Sequence, residues 1–163
     1  MLPLLYRWFL LSCILLMVLS DGGPYCLRTS EEQAPTKVQD CYDLVDAIQE
    51  QWEAFPQRRN FTQHPNMFQD FKVPYTWNEE RKGRRGCEVF INVCDRRVRV
   101  VTDLLRISLV ARAIVNECIG KATPQIGYGY LGRRSGITVE VGAIGDPSYG
   151  CDHTRNFQVL ATD

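Results

Sequence analysis

The sequence predicts an α+β domain in which two helices pack on one face of an antiparallel sheet of about four strands, with disulfides clamping the layers. Three observations predict it. The hydrophobic periodicity changes along the chain in the order helix, strand, strand, helix, strand, strand, which suits one antiparallel sheet carrying two helices. The seven cysteines are dispersed, with no Cys-x-x-Cys pair among them. The 163 residues, 45% hydrophobic and 23% charged, have the length and composition of one globular domain.

Residues 1–20 begin MLPLLYR and continue with thirteen uncharged residues, WFLLSCILLMVLS. A comfortable membrane span takes ~20 apolar residues, and Asp21, Gly22, Gly23 and Pro24 break any helix immediately after Ser20. A secretory signal peptide cleaved after Ser20 is therefore expected, with a retained anchor as the alternative. Cleavage removes Cys13 and leaves six cysteines: Cys26, Cys41, Cys87, Cys94, Cys118 and Cys151. An even set in an exported chain reads as a framework of up to three disulfides, with 15 possible connectivities. Extracellular localisation follows from the same signals.

Residues 21–39 are polar, hold Pro24 and Pro35, and predict an irregular N-terminal arm pinned by Cys26. Residues 40–144 form the predicted sandwich domain. Asp40 is placed to cap a helix whose apolar stripe is Cys41, Leu44, Val45, Ile48 and Trp52, ending at Phe55-Pro56. Residues 57–70 are expected as an exposed loop, and 71–78 as an edge strand because Pro74 cannot donate to a ladder. A charged turn over 79–86 leads into GCEVFINVC, where Cys87, Val89, Ile91 and Val93 alternate onto one face of a central strand. Thr102 is placed to cap the second helix, with Asp103 in its first turn and with Leu104, Ile107, Ala111, Ile114 or Val115, and Cys118 facing inward; Gly120 stops it. Residues 125–131 and 136–144 predict a hairpin. Residues 145–163 form a tail tethered by Cys151. If the helices lie side by side, a bridge between Cys41 and Cys118 is sterically reasonable.

Bases and acids number 19 each, so no global field favours nucleic acid or anionic membrane, and nucleic-acid binding is not expected. Local basic patches are another matter. Arg58-Arg59, Arg84-Arg85, Arg96-Arg97 and Arg133-Arg134 are dibasic pairs, and the last three fall at predicted turns or strand ends where they could cluster toward an acidic partner surface, an acidic polysaccharide or anionic lipid. Solvated loops balanced by nearby acids are the plain alternative. Tyr25, Tyr75, Trp77, Tyr128, Tyr130 and Tyr149 are another candidate surface, in which Tyr128-Gly129-Tyr130 puts two rings on one strand face, suited to stacking on a sugar or docking on a protein, with core packing or cross-strand pairing as the plain alternative. Asn60-Phe61-Thr62 is an N-glycosylation sequon.

No reaction signature is present: there is no G-x-S-x-G, no phosphate-binding loop and no H-E-x-x-H. The two histidines, His64 and His153, have no metal-ligand spacing, so neither a metal nor a cofactor is expected. A ribonuclease-like acid–base set would draw on His153 with Asp152 and Arg155, or on His64, with Glu88 or Glu140 on strands.

The pattern of Asp40-Cys41 opening a helix, then GCEVFINVCD, a long helix ending NECIG, and a glycine-rich hairpin ending ITVEVG resembles small secreted cysteine-rich proteins of filamentous fungi. These include effector-like proteins of plant-associated species and are similar to the α/β sandwich of killer toxins. The resemblance implies a non-enzymatic effector-like or toxin-like protein that binds a host or competitor protein, glycan or membrane surface. A small secreted ribonuclease-like hydrolase and a membrane-permeabilising killer toxin are the alternatives. It transfers no active-site residue, and Cys26, Cys94 and Cys151 are additions to the plainest pattern.

Overall fold

In the computed structural model of the chain, residues 23–28, 37–64, 70–81, 84–94, 99–120, 125–131 and 137–144 are described. The predicted signal peptide, the tail with Cys151 and His153, and the Arg96-Arg97 and Arg133-Arg134 pairs lie outside them. The fold is α+β. In chain order it comprises β1 (Tyr25–Arg28), α1 (Val38–Ala54), β2 (Arg59–Thr62), β3 (Asp70–Lys72), β4 (Tyr75–Arg81), β5 (Arg84–Val93), β6 (Val100–Thr102), α2 (Leu104–Ile114), a π-helical turn (Val115–Ile119), β7 (Gln125–Tyr130) and β8 (Ile137–Ala143).

The main sheet is antiparallel with five strands in the order β1-β7-β8-β5-β4. Alternation decides what each face carries. Cys87, Val89, Ile91 and Val93 share one face of β5 and are fully buried. Across the ladder Val89 meets Val141, Ile91 meets Val139 and Val93 meets Ile137, all buried, so β8 continues the same apolar surface. Each such side chain contributes ~1.5–3 kcal/mol by leaving water. The middle strand is β8, and β5 lies beside it.

The predicted stripe of α1 is buried at Cys41, Leu44, Val45 and Ile48. Cys41 is bonded to Cys87 of β5, and Gln51 accepts a hydrogen bond from the Trp77 indole of β4 at 3.4 Å. The helix begins one turn earlier than its expected cap. Lys37 stands at the N-cap without a side-chain bond, and Asp40 is a buried residue of the first turn. There its carboxylate faces the positive end of the helix dipole.

In α2 the cap is Asp103, whose carboxylate accepts from the Arg106 amide at 2.9 Å; Thr102 instead ends β6. Leu104, Ile107, Ala111, Ile114, Val115 and Cys118 are all buried as expected. The helix then widens into the π turn, closed by the Gly120 amide on the Val115 carbonyl at 2.9 Å. Tyr42 donates to Asn116 at 2.5 Å and Asp46 pairs with Arg112, so the two helices run antiparallel against each other.

The glycines of β7 allow α2 to come close. A Cβ on Gly127 would collide with the Ile114 side chain and lie 2.8 Å from the Cys118 sulfur, and one on Gly129 would sit 2.9 Å from Val110. Cys118 is bonded to Cys26 of β1. The expected bridge between Cys41 and Cys118 is thus replaced by two others. Each cysteine belongs to the helix stripe that meets a strand, so each finds its partner across the helix–sheet contact and not between the helices. Cys94 is disulfide-bonded too; the other four described cysteines are paired among themselves, so its partner lies outside the described residues.

A second sheet, of three strands in the order β3-β2-β6, was not expected. Its β2 falls in the stretch read as an exposed loop, and Phe61 at its centre is fully buried and stacked on Phe71 at 5.1 Å. The single strand expected over 71–78 is two strands in different sheets, separated at the cis peptide before Pro74. The Gln63 side chain donates to the Val93 carbonyl at 2.9 Å and so ties the small sheet to the large one.

Candidate functional site

Backbone register builds the most distinctive side-chain cluster. Cys26 pairs with Gly127 on the face that meets the π turn, so its neighbour Tyr25 and the adjacent Tyr128 project from the other face. Tyr128 is opposite Glu140, and Glu140 is opposite Phe90, giving a row of Tyr25, Tyr128, Glu140 and Phe90 across four strands. Two residues along, Tyr130 is opposite Thr138, which is opposite Asn92. Glu88 lies on the same face as a diagonal neighbour of Glu140, a relation that separates Cβ atoms by ~7–8 Å.

The three tyrosines touch one another. Tyr25 stacks on Tyr128 with centroids 5.1 Å apart and rings inclined by 15°. Tyr130 stands edge-on to both, at 6.1 Å and 5.8 Å. Tyr128 and Glu140 are only 3% and 4% exposed, whereas Tyr25 and Tyr130 are partly buried. Burial, followed by the neighbouring Tyr128, Tyr25 and Glu140, pushes the Tyr130 phenol up to about 12. Burial, then Tyr25 and Glu140, raises Tyr128 as well. Both hydroxyls are therefore neutral at physiological pH. Every residue of β8 is buried, Thr138 and Glu140 included, so the partly exposed members of the cluster are Tyr25 and Tyr130.

The structure divides the residues singled out from sequence. Tyr128 and Tyr130 do share a face, and Tyr25, from the expected irregular arm, completes their cluster. Tyr25 is one of the aromatic residues singled out from sequence, but its place beside Tyr128 follows from the register of β1 on β7 and from no local motif. Glu88 and Glu140, considered as acid–base residues, fall on that same face. His64 lies in the turn after β2 of the small sheet, and His153, Asp152 and Arg155 lie outside the described residues. Arg84 and Arg85 open β5. Arg96, Arg97, Arg133 and Arg134 lie outside the described residues. Asn60 of the sequon is half-buried in β2, the middle strand of the small sheet, and not in an exposed loop.

Among the described residues no group of three or more His, Cys, Asp or Glu side chains could hold a metal, and no helix is long and apolar enough to cross a membrane. Comparison with known protein families, with characterised proteins and with solved structures finds no match to this chain.

Proposed function

We propose that the protein is a secreted, disulfide-clamped binding protein, effector-like or toxin-like in action, that recognises a host or competitor target without catalysing a reaction. In this reading both helices pack on the sheet face bearing Val89, Ile91, Val139 and Val141, and the opposite face is the working surface. The observation that supports it is the contact trio of Tyr25, Tyr128 and Tyr130 on the main sheet, of which Tyr25 and Tyr130 are only partly buried. Rigid aromatic side chains offer much contact area at little entropic cost, which is why they anchor recognition surfaces. The resemblance to small secreted cysteine-rich fungal proteins points the same way and supplies the class of target.

The test is tissue response to the oxidised protein, secreted from the full chain and infiltrated into a panel of plant leaves, beside the same protein reduced and alkylated. Response in some genotypes to the oxidised form alone is expected. Equal response to both forms would contradict recognition of a folded surface. One observation favours a second reading, a small secreted hydrolase: Glu88 and Glu140 are diagonal neighbours on the tyrosine face, a spacing at which two carboxylates can divide acid and base roles. Hydrolysis of RNA or a glycan by wild type and its loss in Glu140→Gln would establish that reading in place of the first.

A further inference from the structure

We propose that Asn60 carries an N-linked glycan that lies over Val101 on the outer face of the small sheet, an inference that rests on reading the protein as secreted. Alternation gives this sheet two unlike faces. Phe61 and Val100 are opposite one another and buried, and Phe61 stacks on Phe71, so their face belongs to the core. Asn60 points the other way and is opposite Val101. Val101 is 56% exposed, which only Phe55 exceeds among the large apolar side chains of the described residues. Lys72, opposite Thr62, is exposed on the same side. The partly buried Asn60 side chain therefore stands on the solvent face of the sheet, next to an uncovered apolar neighbour.

Asn60-Phe61-Thr62 is the one Asn-x-Ser/Thr sequence in the chain, so a single glycan is expected. Transfer joins the Asn60 carboxamide nitrogen to the anomeric carbon of an oligosaccharide carried on a lipid pyrophosphate. The anomeric carbon–oxygen bond breaks with its electron pair on the departing pyrophosphate, and one amide proton passes to a base of the transferase that supplies the donor. In the folded protein β2 is paired on both sides, and the buried Thr62 hydroxyl accepts from the His64 amide at 3.2 Å. The sequon is thereby closed to an enzyme, which assigns the transfer to the chain before β2 pairs. Asn60 makes an interaction within the folded protein, and a glycosylated amide keeps its oxygen and one N–H with which to sustain it. Directly opposite residues have Cβ atoms ~4.5–5.5 Å apart, so the first sugar is within reach of Val101. The C–H groups on its ring face gain by covering an apolar side chain.

The test expresses the full chain in a eukaryotic secreting host and weighs the protein from medium and cells by mass spectrometry, before and after an amidase that removes N-linked glycans. Wild type from the medium is expected to carry one increment of hexose and N-acetylhexosamine units, mapped to Asn60 and lost on amidase treatment. Asn60→Gln should lack the increment, and Thr62→Ser, which preserves the sequon, should keep it. In the glycosylated protein, NMR cross-relaxation is expected between protons of the first sugar and the Val101 methyl groups, and is not expected to the buried Val100. A secreted wild type with Asn60 unmodified would overturn the inference and leave the secreted reading standing. A glycan on Asn60 with no contact to Val101 would overturn its placement over the sheet. A chain held in the cells with residues 1–20 still attached and Asn60 unmodified would overturn the secreted reading and the inference with it.

Discussion

Gly127 and Gly129 hold α2 against β7 by having no side chain, and the cost of giving them one can be stated. Overpacking a well-filled core costs ~1–3 kcal/mol. Gly129→Ala, which meets only the movable Val110 methyl, belongs at the low end of that range, and Gly127→Ala, blocked by Ile114 and by the Cys118 bridge, at the high end. Urea denaturation at constant m-value checks the order. Tyr130 gives a second residue-level prediction. Its folded pKa lies above the ordinary 10, so the folded state holds the phenolic proton more tightly than the unfolded chain. Its contribution to stability is complete below pH 10 and is lost as pH rises from there toward 12. In a spectrophotometric titration the last tyrosine to ionise in wild type should be absent from Tyr130→Phe. Several residues were legible from sequence at this scale, among them Leu104, Ile107, Ala111 and Ile114 of α2, whereas its buried Ser108 and Val110 were not. The two caps were misplaced because Thr102 and Asp40 are good capping residues next to better tertiary uses: Thr102 closes a strand, and Asp40 is buried one turn inside its helix.

At the scale of elements, both helices, β5 and the β7–β8 hairpin could be read from the chain because each has a long apolar period. Strands β1, β2 and β6 could not. They are four, four and three residues long, too short for a period to register. Their stability comes from partners distant in sequence: β1 from β7 and the Cys118 bridge, β2 from the Phe61–Phe71 stack. Pro74 was rightly taken as incompatible with an interior ladder, but it separates two strands where one edge strand was expected. The two described bridges differ in access. Cys41 and Cys87 are both fully buried, whereas Cys26 is exposed on an edge strand. A thiol reductant must reach a sulfur to attack it, so limited reduction followed by alkylation and peptide mapping should label Cys26 and Cys118 well before Cys41 and Cys87. Simultaneous labelling would mean that the bridges open only with the whole fold.

For the molecule as a whole, an α+β plan held by disulfides was readable from element order and cysteine dispersion, and the second sheet was not. Connectivity was unreadable because sequence spacing says nothing of which helix stripe meets which strand; only register places Cys26 beside Gly127 and Cys87 beside Ala143. The same register assembles the tyrosine face from four strands, joining residues 25 and 140 that no local motif connects. In the proposed secreted form, which lacks Cys13, mapping should find Cys94 linked to Cys151, the one remaining candidate. A Cys94 found as a free thiol would contradict a third bridge.

The central claim is that the face carrying Tyr25, Tyr128, Tyr130 and Glu140 is the working surface of a folded, non-catalytic binding protein. The most direct measurement compares the leaf response to wild type with that to a Tyr25→Ala, Tyr130→Ala protein whose folding is verified by its intact Cys41–Cys87 and Cys26–Cys118 bridges and by a cooperative unfolding transition. Loss of response in the folded variant is the predicted result. A variant as active as wild type would contradict the account and move the working surface elsewhere on the molecule.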